Sequence, residues 1–135
     1  MEKILVVNND MDTMTLLKEL LEKRAYQVKY TSSGAESVQI AKDFQPDLVL
    51  IDVLQRNYID SFKSDPDTAN IPIVMMTGYS WNNEKMNEVN ADELIEKPFF
   101  FEQLRQKIQG AIDRKSAPPT TVIPPLNIDP LLRPL

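Results

Sequence analysis

Four apolar residues in a row, Leu48-Val49-Leu50-Ile51, follow Pro46-Asp47 and end on Asp52. A short unbroken apolar run bounded by a turn signal suits a strand buried on both faces. Such a strand needs cover above and below, which crossover helices supply in parallel α/β architectures. Ligands gather at the carboxyl ends of strands in open sheets of this kind, so Asp52 stands where chemistry takes place.

The rest of the chain repeats the pattern. Ile4 to Val7 is a second apolar run, closed by Asn8-Asn9-Asp10. Asp12 or Thr13 can cap a following helix carrying Leu16, Leu17, Leu20 and Leu21 and ending near Arg24. Tyr26 to Tyr30 reads as a short edge strand. Ser32-Ser33-Gly34 reads as a turn and cap before a helical stripe of Ala35, Val38, Ile40 and Ala41 that ends near Phe44. Beyond Asp52, Leu54 to Lys63 predicts one short helix stopped by Asp65-Pro66-Asp67. Ile71 to Met76 is a fourth buried run closed by Thr77-Gly78, and Trp81 to Val89 predicts a weak exposed helix. Glu93 to Glu96 is a fifth strand stopped by Lys97-Pro98. Phe101, Leu104, Ile108 and Ile112 mark a last amphipathic helix ending by about Lys115. Strands alternating with helices in this way predict a doubly wound α/β fold, with a five-stranded parallel sheet and helices on both faces.

Residues 116–135 differ. Six of the chain's ten prolines lie there and no period survives them, so residues 1–115 are expected to form the domain and 116–135 a proline-rich tail. The tail's Val122, Ile123, Leu126, Ile128, Leu131 and Leu132 exceed what a solvated linker needs, which leaves a partner-binding or fold-back segment as the sharper reading.

Composition removes whole classes of chemistry. The 135 residues contain no cysteine and no histidine, so thiolate catalysis, disulfides, serine–histidine triads and Cys or His metal sites are excluded. Carboxylates, hydroxyls, amides, Lys and Arg remain. No apolar run reaches the ~20 residues that span a bilayer, and the first ten residues do not form a secretory signal, so the expected compartment is the cytoplasm, with no membrane partner. A net charge of -5 argues against nucleic acid as a partner. A phosphate-binding flavodoxin-type site would want glycine, serine or threonine after the first strand, and Asn8-Asn9-Asp10-Met11-Asp12-Thr13 has no glycine.

The blocks KILVVNND, PDLVLIDV, DPDTANIPIVMMTG and NADELIEKPF, in that order over about residues 3–112, resemble the receiver domain of bacterial response regulators. The resemblance implies a flavodoxin-like, CheY-like sheet in a two-component phosphorelay. It implies a signalling domain rather than an enzyme, partnered by a sensor histidine kinase or another signalling protein. It implies Asp52 as phosphoacceptor, with Thr77 and Lys97 on the phosphoryl oxygens and a cis bond before Pro98. It implies Mg²⁺ held by Asn8, Asn9, Asp52 and the Leu54 carbonyl.

Three features depart from the family pattern. Asn8 and Asn9 replace an acidic pair and carry no charge, so Mg²⁺ binding is expected to be weak. The segment after Asp52 lacks the usual Pro and Gly, and the third helix is short. Leu94 stands three residues before the lysine, where the family has its switch aromatic. Two readings follow: a working phosphoacceptor switch, or an atypical receiver acting as a protein-binding module in which Lys97 pairs with Asp52. No DNA-binding domain is expected after the receiver. Output would run through protein contacts, including a homodimer, on the face from Trp81 to Ile112, where Trp81, Phe99, Phe100 and Phe101 are candidate anchors, with Phe99 the first choice for the core.

Overall fold

The computed structural model describes residues 1–78 and 89–116. Strands β1 (Lys3–Val7), β2 (Gln27–Thr31), β3 (Leu48–Asp52), β4 (Ile73–Thr77) and β5 (Glu93–Glu96) form one parallel sheet in the order β2-β1-β3-β4-β5. Four α-helices are described: α1 (Met11–Glu22), α2 (Gly34–Phe44), α3 (Ile59–Ser64) and α4 (Phe101–Ser116). The expected doubly wound five-stranded fold is the one observed.

Every residue of β3 and β4 is buried, as the unbroken apolar runs predict. Alternation along the strands then divides the core in two. Ile4, Val6, Leu48, Leu50, Val74, Met76 and Ile95 pack under α1 and α4. Leu5, Val7, Val49, Ile51, Ile73 and Met75 pack under α2 and α3. This parity decides which polar residues share a face at the strand ends.

Local structure corrects several expectations. Asp10, rather than Asp12 or Thr13, caps α1, because its extended backbone lets its carboxylate accept the Asp12 N–H. The buried stripe of α1 is Met14, Leu17 and Leu21, while Leu16 is 55% exposed. In α2 the buried positions are Gly34, Ser37, Ala41 and Phe44, and Ala35 is exposed. Ser33 caps α2 through the Glu36 N–H, as its place in the turn suggests.

The single helix expected over Leu54 to Lys63 is instead a 3₁₀ segment, Val53–Tyr58, followed by α3. Gln55 departs from helical dihedrals, with φ -105° and ψ 15°, and kinks the 3₁₀ segment in its middle. Phe99 and Phe101 pack half-buried against the α1–α4 core, whereas Phe100 is 80% exposed. The helix expected over Trp81 to Val89 lies outside the described residues apart from Val89, as does the tail beyond Ser116. The proposed homodimer face is therefore described only in part.

Candidate functional site

Asp52 closes β3, and its carboxylate is committed on both sides. One oxygen accepts the Leu54 N–H at 2.9 Å, capping the 3₁₀ segment. The other faces Lys97 Nζ at 3.2 Å. Asp52 is 5% exposed, while the Lys97 side chain is 42% exposed, so a buried carboxylate meets an ammonium that remains partly solvated. Two side chains forty-five positions apart in the chain are thus brought into one ion pair by the β3-β4-β5 order.

Lys97 is held from behind. Its backbone N–H donates to the Thr77 carbonyl at 2.8 Å, and the Lys97–Pro98 bond is cis, as the family resemblance implies. Thr77 closes β4 and is 1% exposed; its hydroxyl donates to the Gly78 carbonyl at 3.2 Å and not to Asp52. Leu94 is half-buried and packs with the α2–α3 core, filling space without a polar tip.

The two asparagines part company. Asn9 is exposed. Asn8 is 1% exposed, and its side-chain oxygen accepts the Asp10 N–H at 2.8 Å. That bond leaves the Nδ2 amide of Asn8 as the one buried side-chain polar atom without a partner among the described residues. A buried donor with no acceptor costs about 1–3 kcal/mol, so its retention asks for a reason. Asp10 is exposed and occupied as the α1 cap, where it also accepts the Thr13 hydroxyl at 2.6 Å. That hydroxyl bond is the main cause holding the Asp10 carboxyl below its ordinary range.

This donor set does not match what a hard dication takes. Mg²⁺ favours several charged or carbonyl oxygens in octahedral array. Here the Asn8 oxygen is spent on a backbone N–H, Asp10 is turned to its helix, and Asp52 is bonded at both oxygens. Among the described residues no cluster of three or more carboxylates, histidines or cysteines could hold a metal. The Leu54 amide, which sequence reading passed over in favour of its carbonyl, is the group that touches Asp52.

Three exposed apolar residues stand beyond the strand ends. Met11, Leu54 and Phe100 follow the carboxyl ends of β1, β3 and β5 and are 54%, 68% and 80% exposed. Exposed apolar side chains beside a strand edge are candidate contacts for a protein partner.

Known proteins place the chain. Residues 4–109 match the family model of the response regulator receiver domain. The transcriptional regulatory protein CpxR of Escherichia coli is 32% identical over 118 residues, covering 84% of this chain and 50% of CpxR. The DNA-binding dual master transcriptional regulator RpaA of Synechocystis is 27% identical, covering 84% of this chain and 50% of RpaA. The chain therefore spans about half the length of these relatives. A putative response regulator from Chloroflexus aurantiacus superposes with a TM-score of 0.78 at 25% identity, over 84% of this chain and 98% of that one. The receiver domain of a Pseudomonas aeruginosa sensor histidine kinase, solved with a magnesium ion coordinated in its active-site cleft, shares the fold at a TM-score of 0.73 and 19% identity, over 82% of this chain and 97% of its own. The chain belongs to the response regulator receiver domain family.

Proposed function

We propose that this receiver is an atypical one: it signals through protein contacts, and its Mg²⁺-dependent phosphorylation is impaired. The observation that carries this reading is the pairing of Asp52 with Lys97 beside two amides where a cation would need acids. The ion pair supplies the counter-charge that a metal would otherwise bring, and Leu94 has no polar tip to report a change at Thr77. Asp52, Thr77 and Lys97 all stand at strand ends of one sheet edge, which supports a second reading, a working phosphoacceptor on Asp52 loaded by a histidine kinase.

The partner in either reading is a sensor histidine kinase or another signalling protein, received on the exposed Met11, Leu54 and Phe100. The relatives' names speak of transcription and, for RpaA, of DNA binding, in proteins about twice the matched length. Those names leave nucleic acid open as a partner of a longer protein carrying this receiver, against the expectation of no nucleic-acid partner and no DNA-binding domain drawn from the sequence. A cytoplasmic setting fits a chain in which no described helix is long and apolar enough to cross a membrane.

Calorimetric titration with Mg²⁺ tests the reading. The native chain should bind in the millimolar range or weaker. Exchanging Asn8 and Asn9 together for Asp should tighten binding by about tenfold or more. Sub-millimolar binding by the native chain, or no gain in the double variant, would sink it.

A further inference from the structure

The orphaned Asn8 amide lies one residue beyond the last register pair of β1 and β3, Val7 with Ile51, which makes Asn8 and Asp52 neighbours across adjacent strands. Strand parity sets them on the same side. Ile4 and Val6, Leu48 and Leu50, and Ile95 all point to the α1–α4 core, and Asn8, Asp52 and Lys97 continue those three series. Thr77 continues Ile73 and Met75, which point the other way. Asn8, Asp52 and Lys97 thus form a three-residue cluster: one carboxylate, one ammonium and one buried donor with nothing to bond.

The charges of Asp52 and Lys97 cancel without a cation. A tetrahedral oxyanion on Asp52 would bring three strong acceptor oxygens into a site that has a spare donor on one flank and a partly exposed ammonium on the other. We propose that the Asn8 carboxamide holds a phosphoryl oxygen on Asp52, so that phosphoryl transfer to this chain needs no divalent metal. The proposal rests on Asp52 as phosphoacceptor and names the group that makes acceptance feasible. With phosphoramidate protonated on nitrogen as donor, an Asp52 carboxylate oxygen forms the new bond to phosphorus as the P–N bond breaks. Ammonia leaves with that electron pair, and the acyl phosphate carries the dianionic phosphoryl group. Lys97 moves its hydrogen bond from Asp52 to one phosphoryl oxygen and Asn8 Nδ2 donates to another. Asn8 is a positioning residue until the phosphoryl group arrives and a ligand to it afterwards.

Intact mass of the full chain after incubation with phosphoramidate, in excess EDTA and separately in Mg²⁺, tests this, with Asp52→Asn as the control. The expected result is a single adduct in EDTA, absent from the control, forming within about threefold of its rate in Mg²⁺. Asn8→Ala should slow it about tenfold in both, and Asn8→Asp should make it depend on Mg²⁺. Circular dichroism melts establish that each variant is folded, and the comparison of EDTA with Mg²⁺ in the native chain needs no variant at all. An adduct that forms only with Mg²⁺ overturns the proposal and leaves Asp52 a phosphoacceptor. No adduct in either condition overturns both.

Discussion

Asp10 carries a pH signature that follows from one hydroxyl. Its carboxyl is held below the ordinary range first by the Thr13 hydroxyl, which outweighs the opposing effect of burial, with backbone N–H groups of Thr13 and Asp12 adding to it. A carboxyl with a lower value in the folded than in the unfolded state adds stability above the unfolded value, and that stability is lost as pH falls through the folded one. Thr13→Val should raise the Asp10 value toward that of a free carboxyl, read by NMR titration of its side chain, and should narrow the acid range over which the cap survives. An unchanged titration would mean that the backbone donors alone hold it. Residues of this kind were only half legible. Asp52 stands out in the sequence because an apolar run ends on it, and Lys97 because it opens the Lys97-Pro98 stop of the fifth strand; the structure pairs them. The Asn8 orphan does not, because which of its two side-chain atoms is used depends on the Asp10 N–H that the turn brings within 2.8 Å. The same turn makes Asp10 the cap in place of its neighbours.

Between elements, the remodelled segment after Asp52 acts through its far end. A Cβ built on Gly34 would collide with the Tyr58 ring and with the Gln55 side-chain oxygen, so the 3₁₀ segment is seated on the first turn of α2 only because residue 34 has no side chain. The backbone of Gly34 is not left-handed, which makes contact and not dihedral freedom the reason for glycine. Gly34→Ala should therefore lower stability by about 1–3 kcal/mol in spite of alanine's better helix propensity. Combining it with Tyr58→Ser should recover most of the loss by making room. Chemical denaturation of the two single variants and the double decides this, and strict additivity would show that the two residues do not oppose one another. Sequence patterning could not find this contact. Apolar runs reveal β1, β3 and β4, because burial on both faces leaves no polar residue to confuse the reading; the more exposed β2 and β5 are read from Val28 among polar residues and from the Lys97-Pro98 stop. The 3₁₀ segment carries no such period: its shape comes from the Asp52 cap, the kink at Gln55 and a ring resting on a distant glycine.

At the scale of the molecule, Ile112 is the last of the described residues to join the α1–α4 core, and Val89, Ala91 and Leu94 are the last of them to pack on the other. The family match ends at 109, inside α4. Removing residues 117–135 should therefore leave the thermal midpoint within about 2 °C, since a loss of 1 kcal/mol in a domain of this size moves it by roughly 4 °C. The boundary at 115–116 was drawn from prolines alone, which mark where a helix must stop but say nothing of what packs on the domain. The truncation supplies that missing information. A fall of more than about 5 °C would mean that the apolar residues between Val122 and Leu132 contribute to the fold, and the domain would then have to be redrawn to include them. An unchanged midpoint would free those residues for a partner, and the same truncated chain, set against the full one in a binding assay with a candidate histidine kinase, would show whether that partner reads the tail or the exposed residues beyond the strand ends.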